Sequence, residues 1–144
     1  MARALALDVG NRRIGVALSD VSKLLARPLT VIDRQTDAAT ARIAGLITQH
    51  GVDEIVVGLP YHADGKLSVQ AGLVRAFADS LTAVTGVRMT YVDERWSTQD
   101  AKAIIANLKK KKQPAHDDAI AAAVILQRYL DEMHERLDND GLDD

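Results

Sequence analysis

The sequence contains no cysteine and few aromatic residues, with one Trp, one Phe and three Tyr among 144 positions. Without thiols there is no disulfide, no thiolate metal site and no cysteine nucleophile, which suits a reducing, cytoplasmic setting. With aromatics at 3%, the core must be built from Ala, Leu, Ile and Val. Stacking platforms for splayed bases are correspondingly scarce. No apolar run approaches the roughly 20 residues of a membrane span, and no secretory signal is expected. A large net charge is lacking too: 18 basic residues face 20 acidic ones. Four of those acids lie in Asp138–Asp144, a stretch without apolar periodicity that reads as an acidic, disordered tail. Residues 1–137 then form one domain with 18 basic and 16 acidic residues, a balance compatible with nucleic-acid binding but not diagnostic of it.

What is present begins with two apolar runs, Ala4–Asp8 and Ile14–Ser19, around a polar turn. They read as a hairpin of buried strands. Arg27–Ile32 reads as a third strand, with Pro28 favouring an edge. Thr36 or Asp37 is placed to cap a helix with a stripe of Ile43, Leu46 and Ile47, ended by Gly51. Glu54–Pro60 is a β-branched buried strand, followed by a polar loop from Tyr61 to Leu67. Ser68 opens a second helix whose predicted stripe is Val69, Leu73, Phe77, Leu81 and Val84, stopped by Gly86. Arg88–Asp93 is a fifth strand, a third helix is expected from Thr98 to Lys109, and a last one from Asp117 to Arg136. The order β-β-β-α-β-α-β-α-α implies an α/β fold, a five-stranded mixed sheet with helices on both faces.

In such a sheet, ligands bind beyond the carboxyl ends of the parallel strands. Asp8 ends the first strand, Asp93–Glu94 follows the fifth, and Asp117–Asp118 opens the last helix. Taken singly, each is explained as a turn or cap residue. Together, carboxylates from separated elements would repel one another unless divalent cations lay between them. Hard oxygen donors without Cys or His select Mg²⁺ or Mn²⁺. None of the four His residues has a carboxylate partner by spacing: His50 ends a helix and His134 falls on a solvated helix face. The run Lys109–Lys112 reads equally as a phosphate-binding segment or as a solvated connector.

Four motifs carry a resemblance. They are Asp8–Gly10 with Arg13–Asp20, Gly58–Pro60 with Asp64–Gly65, Asp93–Thr98, and Asp118 before Ala121–Ala122 and Ile125–Leu130. In that order, from residue 4 to about 131, they resemble the YqgF/RuvX family. The resemblance implies an RNase H-like fold related to the Holliday junction resolvase RuvC. It implies a metal-dependent nuclease maturing the 5′ end of 16S ribosomal RNA, some members being described as resolvases. Carried over, the catalytic and metal-binding acids are Asp8, Glu94 and Asp118. The family commonly has an apolar residue where Asp117 stands, which leaves the choice between Asp117 and Asp118 open. Trp96 stands where Leu is frequent and is expected to pack on the sheet end. Asp8 would bridge two cations, with Glu94 and Asp118 each holding one. Arg12, Arg13, Lys66, Arg95 and Lys109, Lys110, Lys111 and Lys112 are the expected phosphate contacts.

Two rivals remain at this level. A phosphate-binding hairpin of the actin and sugar-kinase type would need a second copy of the fold, which 144 residues do not hold. A non-catalytic RNA-binding module is disfavoured because an uncompensated cluster of acids repels phosphate. The expected partner is a structured RNA precursor, with four-way DNA the alternative and no membrane. The state is monomer or homodimer.

Overall fold

The first strand divides into two unequal faces: Leu5, Leu7 and Val9 on one, Ala4, Ala6 and Asp8 on the other. That division decides how closely each layer of helices approaches. The computed structural model describes residues 2–60, 68–93 and 117–142. Its strands are β1 (Arg3–Val9), β2 (Arg13–Ser19), β3 (Ala26–Asp33), β4 (Val52–Leu59) and β5 (Arg88–Asp93). They form one sheet in the order β3-β2-β1-β4-β5, antiparallel from β3 to β1 and parallel from β1 to β5. Pro28 lies on edge strand β3, as expected, beside a register shift between Val16 and Ala17.

Helices α1 (Ala39–His50) and α2 (Val69–Thr85) cover the large-residue face. There Leu5, Leu7, Ile14, Val16, Leu18, Ile55 and Val57 bury against Ile43, Ile47, Val74 and Leu81. Helix α3 (Asp117–Leu142) covers the other face, where Ala4, Ala6, Ala17 and Val56 meet Ala122, Ala123, Leu126 and Leu130. Alanine on both sides lets this helix lie close to the sheet.

Several expectations need correction. Thr36 and Asp37 do not cap α1: its N-cap is Ala38, with no side-chain cap. Asp37 turns back instead, its Oδ2 accepting from Asp33 N at 3.1 Å and from Arg42 Nη1 at 2.9 Å, and so closes the turn after β3. Ser68 does cap α2, accepting from Ala71 N at 3.1 Å, and Gly51 and Gly86 end their helices in the left-handed region. The buried stripe of α2 is Ala71, Val74, Ala78 and Leu81, whereas Val69, Leu73 and Val84 are exposed. The sheet thus meets a face about one residue, or 100°, round from the one marked by the largest apolar side chains. Helix α3 continues past Arg136 to Leu142, through acidic sequence read as disordered. His134 is not simply solvated: its Nε2 lies 2.9 Å from the Lys23 carbonyl oxygen.

At the amino end of β4, on the α3 face, Glu54 is wholly buried. Its carboxylate accepts from Lys23 Nζ at 2.9 Å, Arg88 Nη2 at 2.8 Å and the Tyr129 hydroxyl at 2.9 Å. Gln127 of α3 accepts from Ala26 N and donates to the Leu24 carbonyl. The turn between β2 and β3 is thereby tied to both β4 and α3. Lys23 sits in that turn at φ 57°, a left-handed conformation costing a non-glycine residue about 1 kcal/mol or more.

Candidate active site at the carboxyl ends of the parallel strands

Strand β1 pairs with β2 on one side and β4 on the other, and Asp8 lies near its carboxyl end. The register sets Asp8 opposite Gly15. Leu7 pairs with Val57, so the next residues along, Asp8 and Gly58, are level, and Gly58 pairs in turn with Val92. The half-buried Asp8 therefore stands in a row with a glycine on each side. The two flanking glycines put no side chain beside the carboxylate in that row.

Gly15 does more than leave space. A β-carbon there would overlap the Asp118 carbonyl and come within 2.9 Å of Ala119 N. The backbone of the first turn of α3 thus rests on β2 at the residue paired with Asp8. Asp118 is held there by Arg13, whose Nε lies 3.2 Å from Asp118 Oδ2, both side chains being well exposed. An exposed pair of this kind contributes only about 0–1 kcal/mol and is readily exchanged for a stronger ligand.

The structure thus brings together the elements carrying two of the expected acids, Asp8 and Asp118. Asp117 is the first residue of α3, and its side chain lies outside the described residues. Glu94, Arg95, Trp96, Lys66, the expected helix Thr98–Lys109 and Lys109–Lys112 also lie outside them. Among the described residues no three His, Asp or Glu side chains converge on a cation site. Arg12 and Arg13 are exposed on the β1–β2 turn, Arg12 Nε lying 3.7 Å from Asp33 Oδ2. Gly15 is the site residue that sequence reasoning passed over, although an isolated glycine inside a strand pattern does signal close backbone approach.

A family model described as "RuvX: Holliday junction resolvase" matches residues 2–132. The chain belongs to the RuvX family. Among its relatives is a protein of Roseiflexus sp. (strain RS-1) named "Putative pre-16S rRNA nuclease", 45% identical over 133 residues. That match covers 90% of this chain and 94% of the relative. A protein of the same name from Moorella thermoacetica is 42% identical, covering 91% and 96%. Among solved structures, T. thermophilus RuvC in complex with Holliday junction substrate superposes with a TM-score of 0.64 at 15% identity, covering 93% of this chain and 96% of that one. Fowlpox virus resolvase, complexed with Holliday junction DNA, gives 0.54 at 9% identity, covering 90% and 99%. These likenesses concern fold, and the fold of this RuvX-family chain is RNase H-like.

Proposed function

We propose that this RuvX-family chain is a divalent-metal-dependent nuclease that trims the 5′ end of the 16S ribosomal RNA precursor. The observation that carries the proposal is the close contact of Gly15 with Asp118, which sets the first turn of α3 beside Asp8 at the sheet end. The names of relatives at 42–45% identity over most of the chain support the RNA substrate. Glu94 is proposed as the third acid: it follows β5 directly, two positions after Val92, which shares the row of Asp8.

The donor set fits Mg²⁺ or Mn²⁺, being carboxylate oxygen from separate elements with no thiolate or imidazole among them. Asp8, Asp118 and Glu94 would hold the ions, Asp117 being the alternative to Asp118. Bound there, the ions supply a more acidic water and neutralise charge developing on the phosphate. The chain's own contribution is positional. Asp8 stands in its glycine-flanked slot, α3 carries Asp118 against β2, and Arg12 and Arg13 meet phosphate oxygens from the turn. Hydrolysis adds a water oxygen to phosphorus and expels one ester oxygen, and no histidine base is required.

The test gives the purified protein Mg²⁺ or Mn²⁺ with a 16S precursor fragment and, separately, a mobile four-way junction. Trimming of the RNA, abolished by chelator, Asp8→Asn or Asp118→Asn in proteins of unchanged melting temperature, is expected. Asp117→Asn should be milder, and the reverse pattern would shift the metal ligand to Asp117. Symmetric nicking of the junction without RNA trimming would favour the resolvase reading, to which the family description gives weight. Binding without cleavage of either substrate would favour a non-catalytic module.

A further inference from the structure

Around the β1–β2 turn from the acids lies a groove of about 660 Å³, within the size range of small-ligand sites. Asn11 and the segment after β3 form one wall and α2 the other, with Asn11, Arg34, Gln35, Leu73, Ala76 and Phe77 among its lining. We propose that this groove is a second nucleic-acid subsite, holding a single-stranded flank of the substrate whose cleavage site lies at Asp8 and Asp118. It rests on the nuclease reading and adds residues outside the phosphate contacts already named.

Arg34 is the first reason. Its guanidinium carbon lies 5.1 Å from the centroid of the Phe77 ring, and Nη1 donates to the Gly10 carbonyl at 2.9 Å. These contacts orient the side chain without neutralising it, and among the described residues it joins no ion pair. A pre-oriented, uncompensated guanidinium is suited to a phosphate. Leu73 supplies the second reason: it lines the groove while 57% exposed, beside the exposed Ala76, and offers an apolar surface to a base. That accounts for a large apolar side chain on the solvent side of α2. Asn11 and Gln35 present amides, each able to donate to and accept from a base edge. Continuity is the third reason. Arg13 reaches Asp118 from one end of the turn, and Arg34 holds Gly10 at the other. Arg12 follows Asn11 of the groove lining and precedes Arg13, so one short turn carries arginine side chains between the acids and the groove. Charge complementarity and an apolar floor together select a single strand with its bases unstacked, since a duplex buries its base faces.

The test measures fluorescence anisotropy of a labelled single-stranded RNA and of a blunt duplex RNA, with chelator present to prevent cleavage. Arg34→Ala and Leu73→Glu should each weaken single-strand binding about tenfold and leave duplex binding and melting temperature unchanged. Val84→Glu adds the same charge to an exposed position of α2 outside the groove lining and should leave both affinities unaltered. Leu73→Glu no more harmful than Val84→Glu, or Arg34→Ala weakening both RNAs equally, would overturn the subsite alone. A wild-type protein that binds neither RNA would overturn the nucleic-acid reading with it.

Discussion

A methyl group at Gly15 would occupy the space of the Asp118 carbonyl, so Gly15→Ala must push the first turn of α3 outward or bend β2. Overpacking of this kind costs ~1–3 kcal/mol. A misplacement of about 1 Å at a catalytic group lowers rate roughly 10²-fold. Gly15→Ala is therefore expected to lose most cleavage while remaining folded at moderate temperature. Gly45 is the matched control. It lies within α1 with nothing near its would-be β-carbon, and Gly45→Ala should stabilise by about 0.5–1 kcal/mol with activity intact. Thermal melts and single-turnover cleavage compare the two, and wild-type cleavage by Gly15→Ala would show that α3 need not rest on β2.

At the scale of elements, one buried carboxylate, Glu54, joins the β2–β3 turn, β5 and α3 through Lys23, Arg88 and Tyr129, beside the Gln127 contacts. Burial by itself would raise the Glu54 carboxyl, but hydrogen bonds from Lys23, Tyr129 and Arg88 outweigh it and hold the group below its ordinary value of 4.5. A depressed carboxylate stabilises the fold above its unfolded pKa, and that contribution is lost as pH falls through the folded value. Lys23 is disfavoured as a cation by burial but held above its ordinary 10.5 by Glu54 and Asp53. Its contribution is therefore complete below 10.5 and fades only as pH rises through the higher folded value. The acid limb is thus the sensitive one. Glu54→Gln should destabilise by about 1–3 kcal/mol at neutral pH and make melting temperature fall less steeply below about pH 4.5. Melting curves from neutral pH downward measure this, and an unchanged acid slope would place the sensitivity in other carboxylates.

Across the whole molecule the charges nearly cancel, so affinity for a polyanion must come from where the cations stand rather than from their excess. Arg12 and Arg13 stand on the turn beside Asp8 and Asp118. The Lys109–Lys112 run is proposed to join them on the substrate. Replacing all four lysines with alanine should weaken binding uniformly across sequences. Each lost phosphate contact should lower the log–log salt slope by about 0.7–0.9. Titrations at several salt concentrations read the slope directly, and an unchanged value would make the run a solvated connector.

Among the described residues, the order of strands and helices, the edge position of Pro28 and the Ser68 cap could all be read from the chain, because periodicity, proline and capping residues act on their own neighbours in sequence. So could Asp8 at a strand end and Asp118 at a helix start, and with them the family. Tertiary structure decided which face of α2 is buried, since Ala71, Val74, Ala78 and Leu81 turn inward while Leu73 is left exposed. It decided that Asp37 closes a turn rather than caps a helix, and that Glu54 meets Lys23, Arg88 and Tyr129. It also decided that Gly15 is the point where α3 touches β2. Each depends on a partner at least four residues away and, for Glu54 and Gly15, on other elements far along the chain, and no local pattern records what stands on the other side of a contact.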